Sequence, residues 1–152
     1  METILVTGGS GFIGSHTCLS LLENNYRVIV VDSNVNSKLE VLSRITKILG
    51  NKIEDLSEKL FFHNGDIRDR KFLCNVFQEF LSKGQNINAV IHFAGLKAVN
   101  ESIAVPLDYW NTNVCGTISL LEVMNEFNCK KIVFSSSATV YDPFYGGILN
   151  EQ

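Results

Sequence analysis

Val6-Thr7-Gly8-Gly9-Ser10-Gly11-Phe12-Ile13-Gly14 is the stretch on which the reading of this chain turns. It opens inside Thr3-Ile4-Leu5-Val6-Thr7, a short run of apolar and β-branched residues that predicts a strand buried on both faces. After the glycines, Phe12, Ile13, Leu19, Leu21 and Leu22 predict a helix. Glycines between a strand and a helix place backbone amides and a helix N-terminus where they can cradle a pyrophosphate. The cluster can be counted as G-x-G-x-x-G through Gly9, Gly11 and Gly14, or as G-x-x-G-x-x-G through Gly8, Gly11 and Gly14. Under either count a lone glycine pattern is weak evidence, since a tight turn needs glycine too. Asp32 strengthens it. This carboxylate follows a second strand over Arg27 to Val31, where it can accept hydrogen bonds from an adenosine ribose diol. Its charge would repel a 2′-phosphate, and Ser33-Asn34-Val35-Asn36 supplies no Arg to neutralise one, so the expected cofactor is NAD and not NADP.

Working outward, short strand-like runs alternate with longer segments of helical period. Leu42, Ile45, Ile48 and Leu49, with Leu39 before them, share one face of a helix expected over Lys38 to Leu49, with Gly50 as its C-terminal cap. Leu60 to His63 is a third strand. Asp69 can cap a third helix whose Phe72, Leu73, Val76, Phe77, Phe80 and Leu81 recur on one face before Gly84. Ala89 to Phe93 and Lys131 to Phe134 are the fourth and fifth strands, and helical pattern runs between them from about Leu107 to Phe127. Within it most of Val114, Ile118, Leu121 and Met124 are expected to be core. The fold class predicted is α/β, a Rossmann-type doubly wound parallel sheet cut off after about five strands. One incomplete NAD-binding domain is expected over residues 1–141 and loop over 142–152.

Composition narrows the function classes. Thirteen basic and sixteen acidic residues give a net charge of −3 with no basic block, so a phosphate backbone has no surface to bind. No apolar run reaches the ~20 residues of a bilayer span, and no basic-then-apolar leader opens the chain. A cytoplasmic protein is expected, with neither nucleic acid nor membrane as partner. Cys18, Cys74, Cys115 and Cys129 form no C-x-x-C and are expected as reduced, mostly buried thiols. His16, His63 and His92 lie far apart and are expected to be structural, so no metal is expected.

Three stretches taken together carry a resemblance: Val6 to His16, His92-Phe93-Ala94-Gly95-Leu96-Lys97-Ala98-Val99, and Phe134-Ser135-Ser136-Ser137-Ala138-Thr139-Val140-Tyr141. With them the chain resembles the UDP-glucose 4-epimerases of the extended short-chain dehydrogenase/reductase family. The resemblance implies an NAD-dependent isomerase of galactose and nucleotide-sugar metabolism, which interconverts UDP-glucose and UDP-galactose through a 4-keto intermediate. It implies that Gly8, Gly11, Phe12, Ile13 and Gly14 meet the pyrophosphate, and that Asp32, Ser33, Asn34, Asn36 and Ser37 surround the adenosine ribose. Asp66 and Ile67 would border the adenine; Phe93, Ala94, Gly95 and Lys97 would follow the cofactor, with Thr112 and Asn113 beside it. Ser137 would hydrogen-bond the sugar 4-hydroxyl and help pass its proton, with Thr139 beside it as a second catalytic candidate. Val99, Asn100 and Glu101 would lie near the substrate.

The sequence departs from the family at three positions. Thr112 stands where some members carry a cofactor-contacting Asn, Asn100 replaces a Gly, and Asp142 replaces the Gly that follows Tyr141. The family's base is the tyrosine of a Tyr-x-x-x-Lys pair on one helical turn, where the ammonium lowers the phenol pKa. No such pair exists here: the residues four places after Tyr26, Tyr109, Tyr141 and Tyr145 are Val30, Asn113, Tyr145 and Leu149. The expectation is therefore an N-terminal cofactor part, without its substrate domain and inactive or barely active alone, with an exposed sheet edge. A second copy or a complementing C-terminal chain is the expected protein partner. Two alternatives stay open: a non-catalytic NAD-binding or interaction module, and another sugar-nucleotide epimerase or dehydratase.

Overall fold

The computed structural model describes residues 1–38, 40–50, 52–137 and 140–141. Five parallel strands form one sheet: β1 (Thr3–Thr7), β2 (Arg27–Asp32), β3 (Leu60–Asn64), β4 (Ile87–His92) and β5 (Ile132–Phe134), in the order β3-β2-β1-β4-β5. The chain starts at the centre, steps outward to β3, then crosses back over β1 to lay down β4 and β5. That reversal opens a crevice between the carboxyl ends of β1 and β4, where Thr7 is level with His92 on one side and Val31 on the other.

Both faces of the central strands are covered, which is why they read as unbroken apolar runs. Ile4, Val6, Val28 and Val30 pack with Cys18 and Leu22 of α1 (Phe12–Glu23) and Ile45 and Leu49 of α2 (Glu40–Leu49). Their neighbours Leu5, Ile29 and Val31 point the other way, onto Leu73, Val76, Phe77 and Phe80 of α3 (Arg70–Ser82) and Leu120, Val123 and Met124 of α6 (Gly116–Glu126). Alternation of period two thus feeds two separate cores.

Helix ends follow local chemistry. The Asp69 carboxylate accepts the Phe72 N–H at 2.9 Å and caps α3, and Gly84 ends that helix at φ +68°. Asn25 and Asn128 do the same after α1 and α6, at φ 62° and 56°, a role their tolerance of the left-handed region permits. Gly50 follows α2 without a positive φ; its N–H bonds to the Thr46 carbonyl at 2.7 Å, so it extends the last turn.

The segment between β4 and β5 carries the helical run expected from about Leu107 to Phe127, widened at one turn, with a further short helix before it. It holds α4 (Val99–Ala104), α5 (Pro106–Trp110), a π-turn over Asn111–Cys115, and α6. Pro106 lacks an N–H and pushes Val105 out of the helical region, to φ −131° and ψ 61°, which separates α4 from α5. The core expectation there is corrected. Met124 is buried, but Val114 is only half-buried and Ile118 and Leu121 are 50% and 44% exposed. Exposure differs among these residues although all are apolar, a distinction that apolar identity does not carry.

Of the cysteines, Cys18 and Cys129 are buried, Cys74 is half-buried and Cys115 exposed, all as free thiols. The expectation of mostly buried thiols therefore holds for two of the four. Burial pushes the Cys18 thiol up to about 12. Among the described residues β5 pairs only with β4, and its Val133 and Phe134 are 61% and 56% exposed, so neither face is covered. No helix among them is long and apolar enough to cross a membrane.

Candidate functional site

The turn after β1 is built on backbone geometry. Gly8 adopts φ +69° and donates its N–H to the Val31 carbonyl at 2.8 Å; a Cβ there would lie 2.7 Å from the Ala94 nitrogen. A Cβ on Gly14 would overlap the Gly8 carbonyl oxygen and reach 2.8 Å from Gly9 Cα. Side chains at either position would push the turn off α1 and β4. Gly11 offers α1 no side-chain cap, and the first turn carries no acidic residue. The leading amides therefore face outward as uncompensated donors at the positive end of the helix dipole. Phe12 and Ile13 are 83% and 56% exposed on that turn.

Asp32, 7% exposed, ties this turn to the end of β2. Its Oδ2 accepts the Ser10 N–H at 2.9 Å; its Oδ1 accepts the Asn34 N–H and the Ser37 hydroxyl, both at 2.9 Å. Asn34, at φ 55°, also donates from Nδ2 to Ser37 Oγ at 3.0 Å. Three of roughly four acceptor positions of the carboxylate are thus used within the protein. One remains for a ligand.

A cleft of about 540 Å³ runs from the glycine turn past Asp32 to the end of β3. Gly8, Gly11, Phe12, Ile13 and Gly14 form its floor; Asp32, Ser33, Val35 and Asn36 one side; Asp66, Ile67 and Arg68 its far end. Phe93 to Lys97, Glu101, Val105, Asp108 and Thr112 close the other wall. Asn34 and Ser37 do not line it and instead brace Asp32. Asp66 does not stand alone: Arg68 donates to it from its backbone N–H at 2.8 Å and from Nε and Nη2 at 3.0 and 2.6 Å. The guanidinium beside it holds the Asp66 carboxyl below its ordinary range.

On the other side of residues 93–97 lies a second cleft of about 400 Å³, lined by His92, Asn113, Thr117, Phe134 and Ser135 to Ser137. The segment between the clefts is pinned twice. The Asn113 side chain accepts the Leu96 N–H at 2.8 Å and donates to the Leu96 carbonyl at 2.9 Å. The Tyr109 hydroxyl accepts the Ala98 N–H at 3.0 Å and lies 2.6 Å from Glu101 Oε2. Within the π-turn successive residues serve both spaces: Thr112 lines the first cleft and Asn113 the second.

Beneath them, His92 is locked by hydroxyls. Thr117 donates to the Asn113 carbonyl at 2.7 Å, so its oxygen is left to accept the Nε2–H of His92 at 3.0 Å. Nδ1 then accepts from the Thr7 hydroxyl at 2.6 Å, and that oxygen receives the Ala94 N–H at 3.3 Å. With the Thr7 hydroxyl donating, the ring is neutral. Burial first, then the nearby Lys97 charge, lowers the His92 pKa to about 4.

The structure therefore gathers most of the expected cofactor residues around one cleft and places Ser137 in the adjoining one. Of the expected substrate group, Glu101 lines the first cleft, while Val99 and Asn100 are exposed on α4 and line neither. Thr139 and residues 142–152 lie outside the described residues. Sequence reading missed Arg68, Thr7, Thr117 and Tyr109. Arg68 could have been found from the Asp66-Ile67-Arg68 turn, where a basic residue two places on can fold back onto a carboxylate. The other three act through contacts distant in sequence. Among the described residues no group of three or more His, Cys, Asp or Glu is arranged to hold a metal ion.

Sheet order, crevice and glycine turn define an α/β protein of Rossmann type. Residues 5–147 match the family of GDP-mannose 4,6 dehydratase, and the chain belongs to that family. A UDP-glucose 4-epimerase of Schizosaccharomyces pombe is 52% identical over 142 residues, 93% of this chain and 37% of that protein. The UDP-glucose 4-epimerase of Bifidobacterium longum, solved with NAD⁺ and UDP, superposes with a TM-score of 0.81 at 47% identity, over 92% of this chain and 38% of that one. The Stenotrophomonas maltophila enzyme, solved with NAD and formylated UDP-arabinopyranose, gives 0.80 at 42% identity over 92% and 38%. The chain thus spans under two fifths of the length of these relatives.

Proposed function

We propose that this chain binds NAD in the first cleft and supplies the cofactor half of a UDP-hexose 4-epimerase, in the cytoplasm, with the substrate's sugar entering the second cleft. The observation that carries the reading is the continuity of the first cleft. It joins the uncapped N-terminus of α1, which suits a pyrophosphate, to a buried Asp32 carboxylate with one acceptor position left, which suits a ribose hydroxyl. The donor set fits the cofactor. Asp32 supplies a fixed negative charge where a 2′-phosphate would sit, and so selects NAD over NADP.

Bound NAD supplies reversible hydride acceptance for a sugar carbon. The residues here would hold and align it: residues 93–98, pinned at Leu96 by Asn113 and at Ala98 by Tyr109, would separate it from the sugar's space, and Lys97 would donate to its ribose. Ser137, at the mouth of the second cleft, would hydrogen-bond the sugar 4-hydroxyl and help move its proton. These 152 residues hold no Tyr-x-x-x-Lys pair, so this reading gives them cofactor binding and gives turnover only with a base from elsewhere. The same lack favours a second reading, a non-catalytic NAD-binding module.

Calorimetric titration with NAD and NADP tests the first claim. Binding of NAD at least about tenfold tighter than NADP is expected; a folded chain that binds neither overturns it. Adding the C-terminal part of a relative in trans and assaying UDP-glucose and UDP-galactose separates the two readings. Interconversion supports the epimerase half, and its absence from a folded, NAD-loaded pair leaves the binding module.

A further inference from the structure

Residues 93–98 stand directly against the glycine turn, since a Cβ on Gly8 would lie 2.7 Å from the Ala94 nitrogen. They follow β4, on the opposite side of β1 from Asp32. With a pyrophosphate at the glycine turn and one ribose at Asp32, the second nucleoside of a dinucleotide falls over this segment. Its backbone is fastened at three points. The Ala94 N–H donates to Thr7 Oγ1, Leu96 is held at both polar atoms by Asn113, and the Ala98 N–H donates to the Tyr109 hydroxyl. Lys97, which lines both clefts, lies between the last two fastenings.

The Tyr109 hydroxyl has one proton to give and two acceptors in reach, the Ala98 carbonyl at 2.9 Å and Glu101 Oε2 at 2.6 Å. The carbonyl already accepts the Ser102 N–H at 3.0 Å, and the contact to the carboxylate is shorter and charge-assisted. The proton therefore points to Glu101, and a lone pair of the hydroxyl is turned to the Ala98 N–H at 3.0 Å. Tyr109 is buried on α5, whereas Glu101 is exposed on α4 and lines the first cleft. The pair thus ties the two short helices together across the break at Val105 and fastens both to the cleft wall.

We propose that Tyr109 is a positioning residue of the cofactor site, oriented by Glu101, which holds Ala98 and with it Lys97 for the second nucleoside of the dinucleotide. This role rests on the proposed NAD site. Glu101 acts through the Tyr109 hydroxyl and not by touching the cofactor.

The experiment is a calorimetric titration of the 152-residue chain with NAD and with ADP, which carries the adenosine and pyrophosphate but no second nucleoside. The natural chain should bind NAD at least about fivefold tighter than ADP. Tyr109→Phe removes only the hydroxyl and should weaken NAD about five- to tenfold, with ADP changed by less than about twofold. Glu101→Ala should do the same, whereas Glu101→Gln keeps an acceptor for the phenol and should hold NAD within about twofold of the natural chain. In the Tyr109→Phe background Glu101→Ala should add nothing. Circular dichroism checks that each variant is folded, and Glu101, being exposed, gives the change with least effect on the fold. Equal binding of NAD and ADP by the natural chain, unchanged NAD affinity in Tyr109→Phe, or an equal loss toward both ligands overturns the inference while NAD binding stands. So does a Glu101→Gln variant as weak as Glu101→Ala, or a further loss in the double variant. A natural chain that binds neither ligand overturns the underlying site and the inference with it.

Discussion

Replacing Asp32 by Ala removes a ligand-facing carboxylate and also the fastening between two loops, and the structure gives the size of the second effect. Ser10 is 2% exposed, so its N–H, now bonded to Asp32 Oδ2, would be left buried without an acceptor, at about 1–3 kcal/mol. The Asn34 N–H and the Ser37 hydroxyl are partly exposed and can turn to water, so their loss adds about 1 kcal/mol together. The sum, about 2–4 kcal/mol, is a sizeable part of the roughly 5–15 kcal/mol that holds a domain of this size together. It should lower the melting temperature by about 5–15 °C, read by circular dichroism. Asp32→Asn keeps one oxygen for Asn34 and Ser37 but turns an amide toward the Ser10 N–H, and should fall in between. A melting point within roughly 2 °C of the natural chain for Asp32→Ala would refute the reasoning and leave Asp32 as a ligand contact alone. The same arithmetic means that loss of NAD binding in Asp32→Ala counts as evidence only well below the variant's own melting point.

His92 binds a proton in the unfolded chain at its ordinary 6.5 but in the fold only at about 4, so its contribution is intact above pH 6.5 and is lost as pH falls toward 4, up to about 3 kcal/mol. Urea denaturation at pH 7 and 4.5 should show that loss, and His92→Gln should flatten it; an equal pH slope in both chains would contradict the neutral, hydroxyl-locked ring. Gly14→Ala should weaken NAD binding by about tenfold or more while helix content is kept, because the turn must move away from the new Cβ. Undiminished binding would show that the turn is not part of the site. Val133→Lys should change stability by no more than about 0.5 kcal/mol and reduce self-association in sedimentation velocity, whereas a large drop in melting point would mean that β5 is covered.

Where one local rule governed, the residues were readable. Apolar and β-branched runs gave β1 and β2 because burial on both faces fills their middle positions with apolar residues, and Asp69 announced its helix because its cap reaches only to Phe72. The short α4 and the wide turn inside the helical run were not readable from period. Val99–Ala104 is too short to show one, and the π-turn spans only Asn111–Cys115. In the first cleft the glycine turn and Asp32 were visible from their place after strands, while most of the other lining residues came only from the family resemblance. What stayed hidden were supports joined across long separations, such as Thr7 to His92 and Thr117, or Tyr109 to Ala98. Ile118 and Leu121 show the converse error, since an apolar side chain states no direction until its neighbours are known.

The wide turn at Asn111–Cys115 has a genetic corollary. Loss of a single codon there would leave an uninterrupted α-helix, a conformation of ordinary comfort for the chain, and a truncated protein of this kind would fold. Because the wide turn already absorbs one extra residue, the flanking helices would keep their faces, and only the side chains within the turn would be displaced. Either Thr112 would leave the first cleft or Asn113 would release Leu96, and the partition between the two spaces would come loose. Point substitutions in this turn are expected to be graded in effect; in-frame deletions should be all-or-none.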